Sequence, residues 1–321
     1  MSRAVLDVLA GEPLEAVAHR IGIPPVRLAD ARDIFQRAGH EALVCPATQT
    51  DWWQVHIEFA DWGSAERTVA THLVPLLAAG EENGAATEWW FTRKYPSWRL
   101  RVRPESRATT GLRARLDQLV TTGHLLRWWR GIYEPETAAF GGPPSMLAAH
   151  DLFTVDSRQI LALGTGPGLG LGHRELSILL CTIMMRAAGL EWYEQGDVWQ
   201  RVIGEEHRSA LENVPNSRLY EMAGQIRTLL TADTRADGPI LGPHGPLENC
   251  TDWAAAFHRT GLALKEAAGS GTLDRGLRRV LSLHVIFHWN RLGLSIGAQS
   301  ALAWAARTAI LDPPIWTLQH Q

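Results

Sequence analysis

The chain has 321 residues, 45% hydrophobic and 20% charged, with a formal net charge of −3. That length allows one large domain or two smaller ones with a sizeable core, and the near-neutral balance argues against an electrostatic grip on nucleic acid, which needs a basic face. Three scattered cysteines (Cys45, Cys181 and Cys250) lack metal-ligand spacing, and the absence of a signal peptide or of an apolar run of about 18 residues points to a cytoplasmic protein with no membrane span.

Residues 1–44 read as three short helices, over 4–9, 14–21 and 25–38, with Gly22 stopping the second and Pro24-Pro25 opening the third. The pattern resembles a helix-turn-helix, but the charge of its last helix is nearly balanced, so a packing or peptide-docking module is expected. From Asp51 the period changes. WWQVHIEFA alternates as a strand, and a helix follows over 64–79 with Ser64 as its N-cap and Gly80 at its stop. Two strands, TEWWFTRKY and SWRLRVRP, turn near Pro96. A helix over 110–122 and a strand over 125–135 complete a β-α-β-β-α-β order, the split βαβ arrangement of a ferredoxin-like antiparallel sheet. Beyond Pro143-Pro144 the chain is mainly helical, with helices expected over 145–163, 173–188, 195–204, 216–232, 251–268, 273–292 and 297–310. GTGPGLGLG at 164–172 reads as a loop and not a phosphate cradle, because it lacks the spacing and the preceding strand. The fold class expected is therefore α+β.

The 14 tryptophans stand out beside 4 tyrosines and 7 phenylalanines. Each can be core filling. Neighbouring pairs, however, point to opposite faces of a strand, which leaves one member of each to face a groove. Arg99, Arg101 and Arg103 share one strand face, where like charges repel, so the row suits carboxylate binding; a solvated outer face is the alternative. In the shaped loop 133–142, Glu134 and Glu136 are acid–base groups or, the favoured reading, ion-pair partners for the arginine row. His150, Asp151, Asp156 and Arg158 follow on the next helix. His284 and His288 share a helix face, but no H-E-x-x-H accompanies them, so no metal is expected. Asn290 and Arg291 in the same apolar helix imply buried polar partners, and a histidine beside them suits proton transfer.

Together, DWWQVHIEF, WWFTRKYPSWRLRVRP, YEPETAAFGGP, AHDLFTVDSR and HVIFHWNRLG resemble the thiopeptide-type bacteriocin biosynthesis family, the stand-alone form of the lantibiotic dehydratase elimination domain. The likeness covers roughly residues 50–310, and the domain is expected over 51–321. It implies glutamate elimination from glutamylated Ser or Thr of a leader-bearing precursor peptide, giving dehydroalanine or dehydrobutyrine without a cofactor. A tRNA-dependent glutamylating dehydratase subunit is the implied partner. The family's L-R-x-R arginines fall on Arg101 and Arg103, and its histidine near N-R-L falls on His288, with His284 a poorer match. These groups are expected to converge on one cleft. One departure is Ala139, where the family's elimination enzymes carry arginine; Arg99, Arg158 or Arg291 would have to compensate. That departure favours the runner-up, a thiopeptide pyridine synthase joining two dehydroalanines by a formal [4+2] cycloaddition. A non-catalytic peptide-binding accessory subunit is the third reading.

Overall fold

The computed structural model describes residues 1–44, 52–82, 86, 88–103, 105–163, 171–205 and 215–312. They fall into two compact units, Met1–Thr50 and Asp51–Gln321. In the first, α1 (Ser2–Leu9), α2 (Leu14–Arg20) and α3 (Pro25–Val44) surround a small core of Ala4, Val5, Val17, Ala18 and Leu28. Gly22, at φ +68°, provides the left-handed turn that ends α2. Helix α3 runs six residues past the expected end at 38, continuing through Gly39.

The second unit opens with β1 (Trp53–Phe59), α4 (Ala65–His72), α5 (Val74–Glu82), β2 (Glu88–Lys94), β3 (Ser97–Arg103), α6 (Glu105–Thr121) and β4 (Leu125–Gly131). The four strands form one sheet in the order β2-β3-β1-β4 with every neighbouring pair antiparallel. This is the split βαβ arrangement that the order of elements implied.

The expected 64–79 helix is two helices. Leu73 sits between them, and Pro75 cannot donate back into the preceding turn. Ser64 does not cap with its side chain; its hydroxyl donates to the Asp61 carbonyl at 3.1 Å. Gly80 is not a stop either. It is buried within α5, where a Cβ would come 3.0 Å from that of Ala86.

The two sheet faces differ in chemistry, as period-2 alternation requires. Trp53, Val55, Ile57, Trp89, Phe91, Trp98, Leu100 and Val102 face the main core, which also takes in Leu112, Leu116 and Leu119 of α6. The opposite face carries Gln54 and His56 of β1, Trp90 and Thr92 of β2, and Arg99, Arg101 and Arg103 of β3. The tryptophan pairs split accordingly: Trp53 and Trp89 enter the main core, while Trp52 and Trp90 enter a second, smaller cluster.

The helical half comprises α7 (Pro143–Leu163), α8 (His173–Ala187), α9 (Trp192–Gly204), α10 (Asn216–Thr231), α11 (Thr251–Gly269), α12 (Leu277–Leu292) and α13 (Ile296–Leu311). Of the glycine-rich loop read at 164–172, residues 164–170 lie outside the described residues. Helix α9 starts three residues early because Glu191 and Glu194 form a reciprocal capping box. Helix α12 starts only after Gly276, four residues late. Helices α7 and α12 both pack against β2, and Ser157 of α7 accepts a hydrogen bond from the Phe91 N–H at 3.2 Å, which covers that sheet edge. Among the described residues no helix is long and apolar enough to cross a membrane.

Candidate active site

The second cluster joins residues from five places in the chain: Trp52 beside β1, Trp90 of β2, Tyr133 and Phe140 of the loop after β4, Met146, Ala149 and Phe153 of α7, and Phe287 of α12. It walls a cavity of about 170 Å³. Gln54, Arg99, Arg101, Glu134 and Glu136 form the polar side of the lining, and Trp90, Tyr133, Phe140, Met146, Phe153 and Phe287 the aromatic and apolar side. Two larger cavities, of 620 and 460 Å³, open among the helices, and several of their arginines are already engaged. Arg278 pairs with Glu194 and Asp197, and Arg186 donates to the Leu230 and Ala232 carbonyls and to Thr234. The smallest of the three cavities is the one lined by Arg99 and Arg101 of the arginine row.

Arg101 is only 6% exposed. Its guanidinium lies 4.0 Å over the Trp90 ring and 4.9 Å over that of Tyr133, and Nη1 donates to Thr92 Oγ1 at 3.3 Å. Burial lowers its pKa to about 9, with Arg99 and Arg291 adding to the effect, so it remains a cation at neutral pH. Among the described residues neither Arg99 nor Arg101 has a carboxylate within ion-pair distance. A buried cation without an anion is costly, and the expense is recovered when an anionic ligand binds. Arg103 points past the cavity. It lies 5.9 Å from the Trp52 ring and 3.6 Å from Glu88.

Tyr133 Oη lies 2.6 Å from His150 Nε2, and the pair is enclosed by Trp52 and Trp90. Burial, reinforced by the charges of Arg101 and Arg103, lowers the His150 pKa to about 4, so the imidazole is neutral near pH 7. Burial also raises the Tyr133 phenol, against the opposing charge of Arg101.

Several sequence expectations are corrected by position. His288 is fully buried and does not reach the cavity wall. Phe287 faces the cavity, and the next residue of a helix turns about 100° away. His288 Nδ1 lies 2.9 Å from Asp156 Oδ1, while Arg291 Nε donates to Asp156 Oδ2 at 2.6 Å and Trp253 Nε1 to Oδ1 at 2.9 Å. Burial opposes ionisation of Asp156, but His288 and Arg291 outweigh it and hold the carboxyl below its usual range. His284 is also fully buried, with both ring nitrogens unpartnered and its ring edge-on to Phe140 at 5.0 Å.

The residues expected to compensate for the missing arginine at Ala139 mostly serve elsewhere. Arg158 bonds Glu81 at 3.0 Å, Arg291 is committed to Asp156, and only Arg99 lines the cavity. Ala139 itself packs, half-buried, on the aromatic cluster. Asn290 accepts from Gln299 at 3.0 Å. Glu134 and Glu136 line the cavity without ion-pairing to the arginine row, although Glu136 supports the charge of Arg101 from a distance. Among the described residues, no three His, Cys, Asp or Glu side chains gather as a metal site would need.

The family model of the lantibiotic biosynthesis dehydratase C-terminus matches residues 52–310. The chain belongs to that family. No curated protein matches the chain. Among solved structures, the fold is similar to the tRNA-dependent lantibiotic dehydratase MibB from Microbispora sp. 107891, at 18% identity and a TM-score of 0.58 over 86% of this chain. The chain spans 29% of the length of MibB. It is also similar to TsrL, at 15% identity and a TM-score of 0.60, with 83% of this chain and 97% of TsrL covered. A third likeness is to TbtD, the pyridine synthase from thiomuracin biosynthesis, at 14% identity and a TM-score of 0.51, with 82% of this chain and 98% of TbtD covered. At these identities the likenesses establish the fold.

Sequence reasoning named Asp156 without its partners, left open which tryptophan of each pair faces the groove, and passed over Gln54 and the Tyr133–His150 contact. Gln54, Trp90 and Trp52 were accessible through alternation, since each shares the arginine face. Nothing local to either residue signals that Tyr133 and His150 meet, because the contact depends on how the loop after β4 folds back onto α7.

Proposed function

We propose that the protein modifies a leader-bearing precursor peptide in the biosynthesis of a ribosomally made, post-translationally modified peptide, and that its cavity eliminates glutamate from glutamylated Ser or Thr. The observation that carries this reading is the pair of arginines, Arg99 and Arg101, that line a small aromatic cavity without a carboxylate partner. A glutamyl ester brings one free carboxylate and releases a second as its Cβ–O bond breaks. Guanidinium groups positioned where that charge develops stabilise the transition state more than the ground state. The solvated carboxylates of Glu134 and Glu136 complement the glutamyl ammonium. The substrate would come from a separate tRNA-dependent glutamylating protein, in the cytoplasm, and no metal or cofactor enters the reaction.

The second reading, cycloaddition of two dehydroalanines, draws on Ala139 and on the ring-lined wall of Trp90, Phe140, Phe153 and Phe287. Incubating the protein with a glutamylated precursor and, separately, with a bis-dehydroalanine, azole-bearing peptide distinguishes the two. Elimination predicts free glutamate and a dehydroamino acid from the first substrate and no change in the second. Ring closure of the second with no glutamate from the first would replace elimination with cycloaddition. Peptide binding without either product would leave only an accessory role.

A further inference from the structure

We propose that Tyr133 is the catalytic acid–base residue of this cavity and that His150 is the proton relay behind it. The inference rests on the elimination reading and adds to it the path of the proton. The arginines can hold glutamate but cannot accept a proton from Cα, so the reaction needs a base at the cavity surface. His284 and His288 are sealed behind Phe140 and Phe287 and do not line it. Glu134 and Glu136 line the cavity too, but both are solvent-exposed and face the glutamyl ammonium in the elimination reading. Tyr133 lines the cavity, and its hydroxyl is 2.6 Å from an imidazole that is itself shielded from water.

The step balances as follows. The Cα–H bond breaks, and the proton passes to Tyr133 Oη as the phenol's own proton moves to His150 Nε2. The electrons of the Cα–H bond form the Cα=Cβ double bond. The Cβ–O bond breaks and its electron pair leaves with the glutamate carboxylate. The products are a dehydroamino acid, glutamate, neutral tyrosine and protonated His150.

The surroundings make the relay responsive to substrate. Groups facing the pair are Arg101 and Arg103 of β3, with Arg99 beside them, Glu136 of the loop, and Arg291 of α12 acting on Arg101. The positive charge of Arg101 and Arg103 opposes protonation of His150 in the free protein. A carboxylate seated on Arg99 and Arg101 offsets part of that charge, so the imidazole becomes a better proton acceptor once the leaving group is bound. His150 also lies 6.1 Å from the Trp90 ring, over which Arg101 sits, so the relay and the carboxylate site share one aromatic wall.

The decisive measurements are glutamate release by Tyr133→Phe and His150→Gln, and the pKa of His150 in the wild type. Tyr133→Phe keeps the ring and loses only the hydroxyl. It should lower kcat by about 100-fold or more while KM for the glutamylated peptide changes little. His150→Gln should lower kcat and abolish the acid limb of the kcat/KM profile that falls near pH 4 in the wild type. Independently of turnover, the NMR titration of His150 in the wild-type protein should move to higher pH when glutarate is added as a dicarboxylate probe. Turnover of Tyr133→Phe within threefold of wild type overturns the catalytic role while leaving elimination intact. An unchanged acid limb in His150→Gln, or a His150 titration indifferent to saturating glutarate, overturns the relay. A wild type that releases no glutamate overturns the elimination reading and the role of the pair within it.

Discussion

At Ala139 a methyl group packs half-buried on the cluster that includes Phe140, where it sits beside the cavity without filling it. Replacing it with arginine brings a third guanidinium to a wall that already has Arg99 and Arg101. For an eliminating enzyme the change should be tolerated and should speed glutamate release, since a charge-assisted hydrogen bond is worth about 1.5–3 kcal/mol, roughly one to two decades in rate if formed only in the transition state. For a cycloaddition enzyme the same side chain fills space needed by a heteroaromatic substrate and abolishes ring closure. Rates on the two peptides for wild type and Ala139→Arg decide the matter. Asp156 shows a different use of charge. Its contacts to His288, Arg291 and Trp253 are wholly internal, and Arg291 lies 4.2 Å from the Phe153 ring that walls the cavity. The histidine picked out by its motif is therefore held in a buried ionic network, one layer behind the rings that line the cavity.

Among elements, the sheet was more legible than the helices that complete the site. Alternation in β1, β2 and β3 sets both faces, so the arginine row and the division of Trp52 from Trp53 followed from period 2 alone. The lengths of α4 and α5 did not follow, because the break at Leu73 depends on Pro75 inside an otherwise helical pattern. The face that α12 presents was equally hidden. That helix is buried nearly all round, so its periodicity does not say whether Phe287 or His288 meets the sheet. Close packing in this half makes a specific prediction at Gly261 of α11. A Cβ there would lie 2.3 Å from the Met184 carbonyl oxygen and 2.7 Å from the Ala187 Cβ of α8. Helix propensity favours alanine over glycine by about 1 kcal/mol, but the clash is with backbone, and overpacking costs about 1–3 kcal/mol or more. Gly261→Ala should therefore destabilise despite its better propensity, by at least about 1 kcal/mol in urea unfolding. Stabilisation would mean that α8 and α11 are less tightly apposed.

For the whole molecule, buried neutral histidines tie stability to pH. Burial lowers the pKa of His284 to about 3, with Arg291 adding and Asp156 opposing, and that of His150 to about 4. In the unfolded chain both take up protons near pH 6.5. Between roughly pH 6.5 and 4 the unfolded state therefore binds more protons than the folded one, and stability falls as the solution is acidified. Each such proton contributes a slope of at most about 1.4 kcal/mol per pH unit. Glu88 and Asp151 act in the opposite direction, because burial raises their folded pKa values and folding then favours their protonated forms. The two histidines separate experimentally. His150 has a partner in Tyr133, whereas both nitrogens of His284 are buried and unpartnered. An apolar side chain at 284 removes an unsatisfied polar group as well as a proton-binding site. His284→Leu should consequently match or exceed wild-type stability at pH 7 and lose less of it on going to pH 5, as read from urea unfolding at the two pH values. If His284→Leu retains the full wild-type pH slope, the acid sensitivity does not arise from that histidine.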